Sequence, residues 1–480
     1  MNRRNRKQCL LFSLSAICLC ACGRQSSSKT REVSLDPTDF KSGEKLITFA
    51  DLTPNPTLDD EVEEYRDLGL NTFLMTEDYV NFAKDGKLNP EYLNVCRKVG
   101  EKGLDVWIRN YYNDEDYFQN DAAKQGSNYG TPYSLSARDV TTDFQGVDCI
   151  KGFYMADEPY MTTLESNPLY AAMDRYEKLV DWKNTYYPNS FWHLNHVPSS
   201  SFDHFVGHTY EEFLQYYVDH ILKKLTSGPR DLSIDRYPLN SEEQLDPGYL
   251  SDLLVAANVN KRYNDGAREG AKSKLSICLQ TFMNTHPTAH LIDITTPEEV
   301  TFQIYTAFAV GAQVLEYFCY RSLSDGGMYG IVDDDGAKRI YDHIKEANDR
   351  SLWMADALLG FDWQGLTISP ASKEEMRQNE SSFSACENYL ISPDKKGVLN
   401  NVNSRLDTII GCFKKAEQDG YMVVNYTHPL LEQSDIVTLD FSGCQKAIVY
   451  QGNEAKVVDL LDGKLRLSLN QGDGAFVIPK

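Results

Sequence analysis

Beyond residue 21 the chain has no uninterrupted apolar run of roughly 18 residues, so no later segment is expected to span a membrane. Its cysteines have no pattern. Four of the eleven lie at or before position 22, and Cys96, Cys149, Cys278, Cys319, Cys386, Cys412 and Cys444 are scattered without a CxxC pair. That excludes a zinc ribbon and a disulfide framework. Positive charge is scarce: 48 Lys and Arg face 70 Asp and Glu, a net charge of −22. Such a chain has no general attraction to nucleic acid or anionic lipid. There is no glycine-rich phosphate fingerprint, P-loop, GxSxG elbow or HExxH pair. His193, His196, His204 and His208 straddle a strand end and a Ser-rich loop, where hydrogen bonding in a cleft is expected rather than metal binding. Asp333-Asp334-Asp335-Gly336 lacks the spacing of a calcium loop. Neither a metal nor a cofactor is expected.

The chain opens with an address. Arg3, Arg4, Arg6 and Lys7 precede a short apolar run over 9–20, the pattern of a secretory signal. Leu19-Cys20-Ala21-Cys22-Gly23 resembles the bacterial lipoprotein box, which implies cleavage before Cys22 and lipidation of its thiol. Removing residues 1–21 takes the net charge to −26. Residues 22–45 read as a polar, Ser-rich tether holding the folded part off the outer face of a bacterial membrane.

From residue 46, short apolar runs alternate with amphipathic stretches. The runs lie at 46–49, 72–75, 105–108, 152–155, 191–194, 232–234, 275–279 and 314–319. Between them Thr57 is placed to cap one helix, Pro90 to start another and Thr296-Pro297-Glu298-Glu299 to start a third. Eight alternating units over 46–355 predict an α/β fold, a (β/α)₈ TIM barrel. After about residue 360 the pattern turns to short strands, expected at 361–368, 389–391, 397–402, 408–413, 421–425, 435–441, 446–450, 456–460, 465–469 and 474–478. Asp419-Gly420 and Asp462-Gly463 read as hairpin turns. Residues 360–480 are therefore expected to form a β-sandwich.

Barrel enzymes place their chemistry at the C-terminal ends of the strands. The fourth end reads Gly152-Phe153-Tyr154-Met155-Ala156-Asp157-Glu158-Pro159. Alternation puts Glu158 on the face of Tyr154, where an apolar neighbour would raise its pKa as a general acid requires. The plainer alternative is that Asp157 and Glu158 satisfy loop amides or pair with Arg109. Asp235 ends strand six and Glu316 lies in strand eight; each is a candidate second carboxylate, with a structural ion pair or a buried role as the alternative. Arg109, Asn110 and Asn195 end strands three and five and could hold sugar hydroxyls or steady a carboxylate. Asp157, Tyr237, Gln280, Tyr112 and Tyr320 complete the candidate substrate contacts. Tyr111, Tyr160 and Trp192 also flank strand ends, Trp107 reads as core, and the long polar loop 113–147 is placed to wall a cleft.

The Asp-Glu-Pro of strand four, Asp235-Arg236-Tyr237-Pro238 at strand six and Gly311-Ala312-Gln313-Val314-Leu315-Glu316-Tyr317-Phe318 at strand eight resemble the retaining-glycosidase clan of (β/α)₈ barrels. They are most similar to the β-galactosidase-like members with an appended β-sandwich. The resemblance implies a carbohydrate substrate, with Glu158 as acid/base. One departure matters. The clan carries its nucleophilic Glu at the end of strand seven, and Gln280 stands there. An amide is no nucleophile. Three readings stay open: Asp235 or Glu316 serves instead; Asp157 and Glu158 act as in substrate-assisted hexosaminidases; or the barrel is a non-catalytic glycan-binding lipoprotein.

Overall fold

The computed structural model describes residues 36–76, 79–80, 83–84, 87–109, 144–164, 172–240, 244–268, 270–284, 291–322, 328–333, 335–371 and 379–480. Eight parallel strands form the first sheet: β1 (Ile47–Ala50), β2 (Thr72–Met75), β3 (Asp105–Arg109), β4 (Ile150–Asp157), β5 (Phe191–His196), β6 (Asp231–Asp235), β7 (Lys274–Gln280) and β8 (Val314–Phe318). Their order is β1-β8-β7-β6-β5-β4-β3-β2. Asn71 closes the ring between β1 and β2. Its amide N–H donates to the Thr48 carbonyl at 3.0 Å, its Nδ2 donates to the Leu46 carbonyl at 2.7 Å, and its Oδ1 accepts from the Thr48 N–H at 3.2 Å. The result is a (β/α)₈ barrel with every expected strand in place.

The helices follow local chemistry. Around the barrel run α1 (Asp59–Asp67), α2 (Pro90–Glu101), α3 (Met173–Tyr186), α4 (Tyr210–His220), α5 (Tyr249–Gly266), α6 (Pro297–Ala309) and α7 (Tyr341–Ser351). Asn89 caps α2, and Thr209 with Glu212 and Thr296 with Glu299 form capping boxes on α4 and α6. Thr57 does not cap α1. Its N–H and hydroxyl are taken by Asn55 Oδ1 at 3.0 and 2.7 Å, and the N-cap passes to Leu58.

The barrel interior is apolar at its base. Phe49, Leu74, Trp107, Tyr154, Phe191 and Val314 form one buried cluster there. Trp107 stacks on Phe191 with centroids 4.5 Å apart, and Gly152 makes room: a Cβ there would meet the indole at 2.6 Å.

The C-terminal region is an antiparallel β-sandwich. One sheet holds β9 (Asp362–Ser369), β11 (Thr408–Lys415), β12 (Gln418–Asn425), β17 (Gly474–Pro479), β14 (Lys446–Gln451) and β15 (Glu454–Asp459), in that order. The other holds β10 (Leu399–Asn403), β13 (Asp435–Phe441) and β16 (Lys464–Leu469). Alternating Leu465, Leu467 and Leu469 lie beside Val437, Leu439 and Phe441 of the adjacent strand and are buried with them in the core. Two local expectations fail. The turn between β11 and β12 is Ala416-Glu417, not Asp419-Gly420, because Asp419 Oδ2 accepts the Val398 N–H at 2.9 Å and so lies within the strand. Residues 389–391 form the end of a 3₁₀ turn and a connector; Ile391 packs against Gly365 instead of joining a ladder. Asp462-Gly463 turns as expected, both with positive φ.

Helix α6 joins the barrel to the sandwich. Trp363 Nε1 donates to the Ala309 carbonyl at 2.9 Å, and Thr301 Oγ1 donates to that of Gly472 at 2.8 Å. Gly411 lies flat on Ala309, where any side chain would collide. Among the described residues no helix is long and apolar enough to cross a membrane.

Candidate active site

The fourth strand does not keep strict alternation. Tyr154 pairs with His193 and Ala156 with Leu194, so Met155 is an extra residue, a bulge. The bulge rotates the strand end and brings Asp157, not Glu158, to the side of Tyr154. Tyr154 Oη donates to Asp157 Oδ1 at 3.0 Å. Asn195 Nδ2 donates to the same oxygen at 3.1 Å, and Arg109 Nη2 donates to Oδ2 at 3.0 Å. The guanidinium of Arg109 lies 4.5 Å over the Tyr154 ring and also holds Asp51, at the end of β1. Asp157 is thus a fixed anion. For this residue the pairing with Arg109 is the observed arrangement.

Glu158 follows the strand with φ of 49°, in the left-handed region that costs a side chain strain. Its N–H donates to the Asn195 carbonyl at 3.0 Å. The residue is exposed at the C-terminal face, and its carboxyl lies near enough to that of Asp235, at the end of β6, for each to perturb the other. Burial of the carboxyl and the charge of Asp157 raise the pKa of Glu158, against the effect of Asp235. Asp235 is 8% exposed, and burial, then the charge of Glu158, holds its pKa well above the carboxylate range. Two neighbouring carboxyls disfavour each other's charge, so a proton is retained more readily.

His204 adds a wall. Its ring stacks on Tyr160 with centroids 4.0 Å apart and planes at 15°. Tyr237 stands beside Asp235, edge-on to Phe282 at 5.4 Å.

Three expected contacts lie elsewhere. Gln280 is fully buried and turned into the loops: Nε2 donates to the Ile292 carbonyl at 2.8 Å, and Oε1 accepts the Leu239 N–H at 3.2 Å. Tyr320 is 1% exposed and packs on Tyr65 behind the barrel wall, with centroids 5.3 Å apart. Trp192 is fully buried. Glu316 does not open to the mouth either. It is 1% exposed, one layer down, with Oε2 3.6 Å from His193 Nε2. Asn110, Tyr111, Tyr112, Cys22 and most of the loop 113–147 lie outside the described residues.

The histidines are dispersed: His193 lies inside the barrel, His196 Nδ1 donates to the Ser233 carbonyl at 2.7 Å, and His208 lies near Glu212. Because that partner is a carbonyl, His196 Nδ1 is the donor. Among the described residues no group of His, Cys, Asp and Glu is arranged to hold a metal ion. A cavity of about 430 Å³ lies at the opposite end of the barrel, lined by Asn260, Lys274, Gln313 and Trp363, away from these carboxyls.

Sequence reading missed Asp51; it named His193 and His204 for hydrogen bonding in a cleft but gave them no place among the site residues. Asp51 ends β1 just as Asp235 ends β6, and a scan of strand ends for acids finds both.

No protein-family model matches the chain, and no curated protein does. Solved structures do. A catalytic mutant of a GH42 β-galactosidase from G. stearothermophilus matches with a TM-score of 0.51 over 92% of this chain and 99% of that one, at 10% identity. A glycoside hydrolase family 5 structure from Bacteroides vulgatus matches with a TM-score of 0.50 over 90% of this chain and 88% of that one, at 11% identity. The likeness is one of fold. It establishes the (β/α)₈ barrel with its β-sandwich as an architecture that glycoside hydrolases use, and at such identity no residue role transfers with it.

Proposed function

We propose that the protein is a glycoside hydrolase acting on oligo- or polysaccharides, with Glu158 as general acid/base and Asp235 as the second carboxyl. The observation that carries this reading is the placement of those two carboxyls, each perturbing the other, at the C-terminal end of the barrel. The pair retains a proton where isolated carboxylates have lost theirs, as leaving-group protonation requires.

Retaining enzymes hold their carboxyls about 5–5.5 Å apart and inverting ones about 6.5–9.5 Å. On this reading a sugar ring enters beside the two carboxyls, and the glycosidic oxygen becomes the partner of Glu158. The proton that burial favours on Asp235 moves to Glu158, which passes it to that oxygen as the C–O bond breaks. Asp235, left ionised, faces the anomeric carbon or a water beside it. Asp157 uses three of its roughly four acceptor sites on Tyr154, Asn195 and Arg109. That favours a fixed charge that keeps Glu158 protonated over an arm that orients an acetamido group.

The second reading, a glycan-binding protein without turnover, is favoured by Gln280, which occupies the seventh strand end with its amide tied to backbone. A panel of nitrophenyl glycosides and oligosaccharides, tested on wild type and Glu158→Gln with calorimetric binding in parallel, separates the two. Sugar release that disappears in the variant supports hydrolysis; binding with no release in any sugar class leaves only the second reading. We also place the protein on the extracytoplasmic face of a bacterial membrane, anchored by lipid on Cys22, a reading supported by residues 1–22 alone.

A further inference from the structure

At the end of the barrel opposite the carboxyl pair, a cavity of about 430 Å³ opens between α5, the starts of β7 and β8, and the first strand of the sandwich, β9. Its volume lies in the range of small-molecule sites, roughly 300–1,000 Å³. The chemistry at the mouth makes no use of it.

The charges around this cavity cancel. Each lysine on its wall is matched by an acid: Lys261 Nζ lies 2.8 Å from Asp265 Oδ2, Lys272 Nζ 3.6 Å from Asp362 Oδ1, and Lys274 Nζ 3.6 Å from Glu44 Oε2. A phosphate or a polycation would find no uncommitted charge. What remains is amide chemistry from Asn260, Gln313 and Gln364. Asn260 is 7% exposed. Its Nδ2 donates to the Ser273 carbonyl at 3.3 Å, and its Oδ1 is buried with no partner. Turning the amide over would set oxygen against oxygen, so the free acceptor stays where it is. A buried acceptor without a donor is costly, and a ligand hydroxyl would satisfy it.

The opposite wall is aromatic. Trp363 and Gln364 are consecutive in β9, yet both line the cavity, where strict alternation would send one of them away. The ladder with β11 pairs Trp363 with Phe413 and Gly365 with Cys412, so Gln364 is an extra residue, and this bulge re-aims the side chains. The indole is fixed. Its Nε1 donates to the Ala309 carbonyl at 2.9 Å, and its base rests on Gly311, where a Cβ would come within 2.8 Å of Trp363 Cβ. Ser273 is held in turn by Asn264, whose Nδ2 donates to its carbonyl at 2.8 Å and whose Oδ1 accepts its N–H at 2.7 Å. The walls are set before any ligand arrives.

Amides, an unpaired acceptor and a fixed indole match a neutral ligand with many hydroxyls and an apolar C–H face. We propose that this cavity is a second carbohydrate site, taking a short neutral oligosaccharide away from the carboxyl pair. It goes beyond the hydrolase reading and does not depend on it, since a barrel that cleaves nothing would still bind sugar here.

The test uses the whole protein and a panel of neutral trisaccharides of glucose, galactose, mannose, xylose and N-acetylglucosamine. Hydrogen exchange read by mass spectrometry locates binding, and calorimetry gives its strength. At least one trisaccharide is expected to protect peptides covering 270–275 and 310–313, in wild type and in Glu158→Gln alike. Asn260→Leu keeps a similar volume and removes the acceptor, while the Ser273 carbonyl keeps Asn264. It is expected to weaken this binding about tenfold. Gln364→Ala, on the bulge, is the second variant should Asn260→Leu fail to fold, and it should weaken binding several-fold. Protection confined to peptides around Glu158, protection nowhere, or protection at 270–275 and 310–313 that persists at full strength in the folded variants overturns the proposal. Sugar release is read separately, so a protein that cleaves nothing but shows this protection loses the hydrolase reading and keeps the second site.

Discussion

Arg109 and Asp157 are joined at 3.0 Å, and the same guanidinium reaches back to Asp51, so one buried cation ties the ends of β1, β3 and β4 together. The arginine has 2% of its side chain exposed. Removing it leaves two carboxylates inside the mouth without their cation. Arg109→Met is expected to destabilise the protein by about 3–5 kcal/mol, the usual cost of breaking a buried pair from one side. Asp157→Asn keeps the shape but puts an amide NH₂ against donors from Tyr154, Asn195 or Arg109, at about 1–3 kcal/mol. Urea unfolding midpoints rank the two, and an Arg109→Met variant as stable as wild type contradicts the buried linkage.

Asp157 also tests the chemistry. If an acetamido group of the substrate were the nucleophile, Asp157→Ala would impair N-acetyl sugars and spare plain hexosides. The three hydrogen bonds on Asp157 predict instead an equal loss on both, because its charge acts on Glu158 and not on the sugar. Rates on paired substrates differing only at that position decide it.

The protein should lose stability as pH rises from about 6 to about 9. An ordinary histidine titrates at about 6.5. Burial pushes His193 down, but Asp231, 2.6 Å from its Nδ1, and the charge of Glu316 hold it at about 9 in the fold. A raised folded pKa gives stability that is complete below the unfolded value and is lost through the folded one. The window spans roughly 2.5 units, on the order of 3 kcal/mol. The raised carboxyls of Glu158 and Asp235 act with the same sign, since the folded state binds the extra proton and loses that advantage as pH rises. Melting temperatures across this range should fall, and Asp235→Asn should flatten the fall and raise the melting temperature at pH 8. A melting temperature that rises toward pH 9 removes the charged-histidine assignment.

The barrel was legible because each strand is a run of apolar and β-branched residues between capped helices, as in Phe191–His196 and Pro297–Ala309. The pairing of Glu158 with Asp235 followed from reading strand ends. What misled was side-chain direction. Alternation put Glu158 beside Tyr154, and the bulge at Met155, which leaves no mark in the sequence, gave that place to Asp157. Tyr320 and Gln280 also stand at strand ends, yet one turns outward onto Tyr65 and the other sideways into a loop. Sequence position gives depth in a barrel; it does not give the direction of a side chain once the ladder has ended. His193 had no place among the site residues because a histidine in a strand reads as a polar exception, and its two acids come from β6 and β8.

Gln280 gives the last prediction. Placing a glutamate at the seventh strand end would seem to restore a nucleophile, so Gln280→Glu is the obvious repair of a lost activity. The surroundings oppose it. Nε2 donates to the carbonyls of Ile292 and Leu239, at 2.8 and 3.4 Å, while only Oε1 accepts, from the Leu239 N–H. A carboxylate would set its second oxygen against two carbonyls in a fully buried site. The variant is expected to lose about 1–3 kcal/mol, or to take up a proton and donate as a neutral acid. In neither case does it point at Asp235 or Glu158. Thermal melts should show the loss, smaller at acidic pH where the new carboxyl is neutral, and the sugar panel should show no gain. A gain in turnover from Gln280→Glu would mean that this side chain reaches the mouth, and the carboxyl pair at Glu158 and Asp235 would no longer suffice as the chemical centre.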